Sequence, residues 1–393
     1  MQRNAPVFLL PTVLAALVLY WIYDGYGRCL QLLVLLNRKT SEPTQADANS
    51  DSEEWPSITV LLTVHNEEAA IRRRIENILR CDYPEQKLRV LVASDGSTDS
   101  TNDIVRSFSH RAVRLSESPG LGKTGTQNAA IRTIESDLIA FTDADILFDV
   151  DWCKQIARRF INPKVGAVDG RALYEAPASD ALQASQGIYW TYELKLRLLE
   201  SQLGILAVVA GACFAIRRDL FVTMDPAIGE DCIVPLDVVT QGYLVVHEPL
   251  AIARFNSEED SSITLRRRIR MTLRNWQGTW TRRHILNPLH HPRYAFALWS
   301  HKLLRWLSPL FLATATFGSL AQLIIAPTMI SAVVFAPFGV LLALAGIGWL
   351  SVRRDLQIPG TGAAYSFLLA NIAFLIGIWR AITGHRIHSY RNA

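Results

Sequence analysis

Residues 136–149 read SDLIAFTDADILFD, and the rest of the chain is organised around them. Leu138-Ile139-Ala140-Phe141-Thr142 is an unbroken apolar run of strand length, the pattern of a strand buried on both faces. It breaks abruptly into Asp143-Ala144-Asp145. In extended chain two such acids point the same way, about 6.5–7 Å apart, close enough to share one divalent cation or a cation-bound diphosphate. Without a cation they repel each other. A bare D-x-D is more often an acidic turn, so its neighbours must decide what it does.

Outward from this strand, from Trp55 to about Arg283, strand-like and helix-like segments alternate. That alternation predicts an α/β domain around a mostly parallel sheet. Ile58 to Val64 predicts a strand, Ala69 to Arg80 a helix, Leu88 to Ala93 a strand, and Ser97 to Phe108 a helix opened by the capping residues Ser97-Thr98-Asp99. Ala112 to Leu115 is a further strand, and the helix Thr124 to Ile134 precedes the central one. In such folds ligands dock at the carboxyl ends of the strands. His65-Asn66-Glu67, Asp95-Gly96-Ser97 and Asp143-Ala144-Asp145 each come directly after a strand, so three strand ends supply polar groups to one crevice.

The 393 residues carry a formal net charge of +4, too mild to argue for nucleic acid. Arginines beside apolar segments suit an anionic membrane face instead. Cys29, Cys81, Cys153, Cys213 and Cys232 have no C-x-x-C or framework spacing and predict reduced thiols in a cytosolic setting. Apolar residues gather at the two ends. Residues 7–36 predict a transmembrane helix, and Arg28, Arg38 and Lys39 place the next domain in the cytoplasm. No small-residue cleavage site succeeds this run, which argues against a signal peptide. Polar and acidic, residues 40–54 predict a linker. The catalytic domain is expected over 55–261, an amphipathic region over 262–300 and apolar spans over 301–384. Leu303 to Ala326, Ile330 to Leu350 and Ala363 to Ile382 are each long enough to cross a bilayer. Three crossings would send the basic tail His385 to Arg391 outside, against the charge rule, and a re-entrant segment would keep it inside.

Other stretches carry chemistry. Gly120-Leu121-Gly122-Lys123-Thr124 resembles a P-loop but has Glu117 where that motif requires glycine. Lys123 still opens a helix from a glycine-flanked loop, a place that favours phosphate. Glu230-Asp231 opens another helix, where the acids serve as capping groups or as a general base that deprotonates an attacking hydroxyl. Ser262 to Arg283 places Ile269, Leu273, Trp276 and Trp280 at helical spacing, with Arg266, Arg267, Arg270 and Arg274 on other faces. That pattern predicts a helix in the membrane interface, its arginines free to reach lipid or diphosphate.

Taken in order, these motifs resemble membrane-embedded family 2 glycosyltransferases, the group of the cellulose, hyaluronan and poly-N-acetylglucosamine synthases. The resemblance rests on V-H-N-E at Val64 to Glu67, D-G-S-T-D at Asp95 to Asp99, G-K-T at Gly122 to Thr124, D-A-D at Asp143 to Asp145, the small residues Ala210 to Cys213 before Arg217-Arg218, and E-D at Glu230-Asp231. It implies a GT-A fold binding a nucleotide diphosphate sugar, commonly a UDP-sugar, with Mg²⁺ or Mn²⁺. By the same resemblance His65, Glu67 and Asp95 hold the nucleoside, Lys123 and Asp143 meet the ribose and diphosphate, and Asp145 with Asp143 serves the metal. Asp231 is the expected base beside Glu230, and Arg270 stabilises the leaving diphosphate. A single displacement inverts the anomeric centre. The chain departs from the synthases' Q-x-x-R-W, reading Arg267-Arg268-Ile269-Arg270-Met271. Without that Gln and Trp, the expected acceptor is a polysaccharide served by a partner export channel, or a lipid-linked acceptor. Two other readings are a catalytically silent membrane scaffold and a sugar nucleotidyltransferase. A scaffold has no need to gather repelling carboxylates, and a nucleotidyltransferase does not explain apolar segments at both ends.

Overall fold

The computed structural model describes residues 8–37, 55–175, 181–256, 261–354, 356 and 358–387; the expected linker over 40–54 lies outside them. The chain begins with α1 (Leu9–Tyr20), one π-helical turn (Trp21–Gly25) and α2 (Tyr26–Leu36). The α/β domain then runs β1 (Ile58–Val64), α3 (Ile71–Leu79), β2 (Leu88–Asp95), α4 (Thr101–Arg106), β3 (Val113–Ser118), α5 (Lys123–Ile131), β4 (Leu138–Thr142) and β5 (Ile146–Phe148). It continues with α6 (Trp152–Arg159), β6 (Val165–Glu175), α7 (Ala181–Gln202), β7 (Cys213–Arg217), α8 (Glu230–Thr240) and β8 (Leu244–Asn256).

These eight strands form one sheet in the order β3-β2-β1-β4-β7-β6-β8-β5. β3, β2, β1 and β4 are mutually parallel, β6 and β8 are parallel, and β7 inserts antiparallel between β4 and β6. Every residue of β1 and β4 is buried, as expected of strands covered on both faces. Phe141 and Phe214 stack across the β4–β7 pair, ring centroids 4.6 Å apart. The consequence for function is the common direction of β1, β2 and β4, which end together at His65, Asp95 and Asp143.

Two local expectations change. The helix expected from Ser97 starts only at Thr101, because the residues before it are bound to the loop after β1. Thr98 N–H donates to Asn66 Oδ1 (2.8 Å), and Glu67 and Glu68 N–H donate to Thr101 Oγ1 (2.8 Å) and Asp99 Oδ2 (3.1 Å). Asn66 takes a left-handed backbone, φ 57°, to make that junction. The second change concerns D-A-D, which lies on a turn between β4 and β5 and not in extended chain. The buried Arg74 guanidinium donates to Thr142 Oγ1 (2.7 Å) and to the Asp143 carbonyl (3.2 Å), which fixes the bend.

Beyond the domain come α9 (Ser261–Thr281), α10 (Pro292–Leu298), a second π-helical turn (Trp299–Leu303), α11 (Leu304–Trp306), α12 (Ser308–Ile325), α13 (Met329–Arg353) and α14 (Thr361–Ile382). Four helices among the described residues are long and apolar enough to cross a membrane: Leu9–Leu36, Ser308–Ile325, Met329–Arg353 and Thr361–Ile382. Polar side chains on them pair with one another, as hydrocarbon surroundings demand. Tyr23 Oη donates to Ser308 Oγ (3.0 Å), which donates to Asn371 Oδ1 (2.7 Å). α9 buries Ile269 and Leu273 and lies close along α14, where a Cβ on Gly377 would stand 2.7 Å from Thr272 Cβ. After α14 the chain returns to the domain: Gln277 Nε2 donates to the His385 carbonyl (2.7 Å), and Arg386 approaches Asp225 (3.5 Å).

Candidate active site

Two glycines allow the crevice to close up. Gly96 has φ +67°, and a Cβ on it would meet the Gly120 backbone nitrogen at 3.0 Å. The turns after β2 and β3 therefore touch. Asp95 Oδ1 then accepts from Gly122 N–H (3.0 Å) and Thr126 Oγ1 (2.8 Å), which pins the start of α5. His65 Nδ1 lies 2.8 Å from the Asp95 carbonyl oxygen, so the β1 and β2 ends are joined. Of the three residues expected at the nucleoside, Asp95 already spends one oxygen on the fold. Glu67 faces the acids across the crevice, its carboxyl raised by burial and by the charges of Asp145 and Asp143.

Lys123 occupies the centre. Its Nζ stands 2.6 Å from Asp143 Oδ1 and 2.7 Å from Glu230 Oε1, with only 11% of the side chain exposed. One ammonium thus joins the end of β4, the start of α5 and the start of α8. Burial pushes the Asp143 carboxyl above its ordinary range although Lys123 opposes this. For Glu230 the balance reverses: burial pushes it up, but Lys123 and Arg274 hold it below.

Asp231 comes next on the first turn of α8, partly exposed, with Cys232 Sγ donating to its Oδ1 at 3.2 Å. Burial and the neighbouring Glu230 charge raise its carboxyl. A carboxylate with a raised proton affinity, open on one side, can take a proton from a hydroxyl.

Arg274, one turn after the expected Arg270, is bonded into this corner. Its Nη2 donates to Thr124 Oγ1 (2.8 Å), and its charge acts on both Glu230 and Asp231. Arg270 lies one turn earlier on the same face. Helical spacing alone does not single out Arg274 among the several arginines of α9. The selection comes from the α9–α8 crossing, where a Cβ on Gly278 would stand 2.9 Å from Cys232 Cβ, bringing position 274 over Thr124.

Among the described residues no three His, Cys, Asp or Glu side chains form a ready-made metal cage. The donor chemistry nevertheless fits a hard cation. The charge of Asp145 raises the proton affinity of both Glu67 and Asp143, Asp145 itself is exposed, and the donors are oxygens. Mg²⁺ commonly takes one or two carboxylates and completes its shell with phosphate oxygens and water.

Residues 59–224 match the sequence profile of glycosyl transferase family 2. Over that stretch the chain is similar to family 2 glycosyltransferases. It is 26% identical over 278 residues to the probable glycosyltransferase YdaM of Bacillus subtilis, across 65% of this chain and 64% of that protein. It is 24% identical over 204 residues to the beta-monoglucosyldiacylglycerol synthase of Synechocystis, across 48% of this chain and 41% of the other. The chain thus spans less than two thirds of the length of either relative. Among solved structures it matches the mannosyltransferase PcManGT of Pyrobaculum calidifontis, described in complex with GDP-Man and Mn²⁺. That match has TM-score 0.69 and 20% identity and covers 95% of this chain and 99% of that one. The likeness establishes the GT-A fold, with apolar helices on both sides of the α/β domain.

Proposed function

We propose that the protein is an inverting glycosyltransferase that moves a sugar from a nucleotide diphosphate sugar, a UDP-sugar by its resemblance, to an acceptor presented at the membrane. The observation that carries this reading is the Lys123 bridge, which brings Asp143 and Glu230 to one ammonium with Asp231 alongside. His65, Glu67 and Asp95 line the nucleoside end. Lys123 and Asp143 face the ribose and diphosphate, where the Lys123 ammonium stabilises charge developing on the leaving group. Asp145, with Asp143, would hold Mg²⁺ or Mn²⁺, which when bound supplies positive charge at the diphosphate. Asp231 takes the proton of the attacking hydroxyl as it displaces the nucleotide, and attack from the opposite side inverts the anomeric carbon. Glu230 keeps Lys123 in place, and Arg274, with Arg270 one turn before it, supplies cationic support from α9.

The acceptor we favour is a lipid or lipid-linked glycan. Position 271 carries an exposed Met in place of the synthases' Trp, and Trp276 and Trp280 stack on each other, centroids 6.0 Å apart. The similarity to a glycolipid synthase points the same way. A polymer product would call for a partner channel.

We further infer an integral membrane protein, of bacterial inner-membrane type, with its catalytic domain in the cytoplasm. The contacts of His385 with α9 and of Arg386 with the domain support a position of residues 385–386 on the domain's side of the membrane. A chain leaving one side returns to it only after an even number of crossings, so one of the three C-terminal segments does not cross fully.

The test is a donor panel presented to the detergent-purified protein with and without divalent cation, scored by nucleoside diphosphate release. Pyrophosphate release would indicate a nucleotidyltransferase, and no turnover with any donor would indicate a scaffold.

A further inference from the structure

Asp169 lies on β6 with no exposed surface. Both its oxygens are engaged. Oδ1 accepts from the Ala210 backbone N–H at 2.6 Å, Oδ2 meets His247 Nδ1 at 2.8 Å, and Arg197 Nη1 approaches both at 3.4 and 3.3 Å. Burial pushes its carboxyl up, and Arg197 and His247 hold it below the ordinary range, so it stays ionised.

The Ala210 bond matters for the glycine next to it. Gly211 abuts the base: a Cβ built there would stand 3.1 Å from Asp231 Cβ and 3.4 Å from Cγ. The residue whose N–H Asp169 holds is thus the immediate neighbour of the wall against which Asp231 rests.

Arg197 is held from its other side. Its Nη2 approaches Glu193 Oε1 at 3.4 Å. Glu193 also meets Arg305 Nη1 (2.7 Å), Lys302 Nζ (2.9 Å) and His301 Nε2 (3.0 Å). His301 Nδ1 lies 2.8 Å from Glu200 Oε1, which also accepts from Tyr26 Oη (2.7 Å). A carboxylate thus stands at each ring nitrogen of His301. Tyr26 belongs to α2, and residues 301–305 to the π-helical turn and α11. The cluster therefore ties both apolar ends of the chain to α7.

We propose that Asp169 is a positioning residue for Asp231, holding the 210–212 turn against the base, and that the Glu193 cluster fixes its partner Arg197 from the side of the apolar helices. The proposal rests on the assignment of Asp231 as general base. A base must face its hydroxyl within hydrogen-bond reach, and small displacements cost rate steeply. Donor binding draws on the ends of β1, β2 and β4, which Asp169 does not touch.

The experiment measures kcat for nucleoside diphosphate release, its pH profile, and the Kd for nucleoside diphosphate, on the full-length protein. Asp169→Ala is expected to lower kcat by about tenfold or more and displace the acidic limb, with Kd changed by less than about twofold. Asp169→Asn keeps an oxygen for the Ala210 N–H and is expected to recover to within about threefold of the parent. Gly211→Ala crowds Asp231 directly while leaving the buried cluster intact, and is expected to reproduce the loss of kcat at normal Kd. It stands as the deciding variant if Asp169→Ala does not accumulate. Parent-like kcat and acidic limb in Gly211→Ala would overturn the proposal. So would parallel loss of kcat and nucleotide affinity in Asp169→Ala with the limb unmoved, the mark of a purely structural role. If Asp231→Asn turned over at the parent rate, the base assignment itself would fall, and this proposal with it. If Asp231→Asn were inactive and both other variants indifferent, only the positioning role would be lost.

Discussion

The crevice and the Glu193 cluster both bury acids beside cations, yet their carboxyls move in opposite directions, except that Glu230 of the crevice is held low by Lys123 and Arg274. Around Lys123 the acids outweigh the cations, and Glu67, Asp143 and Asp231 are all raised. Around Glu193 the charges balance, and Glu193 and Asp169 are held below the ordinary range. An unbalanced acidic group has positive charge or a proton still to gain, whereas a balanced one is finished. The difference is the one expected between the proposed place of reaction and a fastening, although both read as charged residues amid apolar ones.

The largest expected effect belongs to the base. Asp231→Asn should lower transfer by about 10²–10⁴-fold while leaving donor binding largely intact, measured by turnover beside nucleotide titration. Transfer at the parent rate would remove the contrast at its centre. Next comes the fastening. Glu193→Gln leaves Arg305, Lys302 and His301 without their shared anion, and removing one partner of a buried ion pair costs about 3–5 kcal/mol. Thermal unfolding in detergent should show it as a large fall in Tm. Lys123→Met should then weaken nucleotide binding by about tenfold or more, since it removes a charge-assisted contact and leaves Asp143 and Glu230 repelling each other. Asp145→Ala should weaken binding only when a divalent cation is present; equal affinity with and without it would end the metal role.

The pH dependences should also separate. As the proposed base Asp231 would work ionised, and its proton affinity is raised, so kcat should fall as pH drops through a value above the usual carboxylate range near 4. The depressed carboxyls of Glu193 and Asp169 contribute stability that is present above their unfolded value and lost only as pH falls through their lower folded values. Activity should therefore disappear at a pH where the fold, monitored by circular dichroism, persists.

Much of this was legible in the chain because it depends on local pattern. The apolar run Leu138–Thr142 ending in acids, the glycine-flanked Lys123 and the acidic opening of α8 each declare themselves over a few residues, and the sheet then brings them together. The antiparallel insertion of β7 and the pairing of β5 with β8 depend on long-range partners that carry no local signal. The same holds for Arg274, placed by a helix crossing, and for Glu193, whose partners His301, Lys302 and Arg305 lie more than a hundred residues away. The turn at Asp143 was hidden because Arg74, which bends it, sits on a helix 69 residues earlier.

In the resting protein Lys123 answers to both Asp143 and Glu230. An arriving diphosphate competes for that ammonium, and as it draws Lys123 away Glu230 loses a counterion at the very start of α8. The helix that carries the proposed base would thus register whether a donor is in place. Such a linkage favours a compulsory order, donor before acceptor, which spares the activated sugar from wasteful hydrolysis and would appear in product-inhibition patterns.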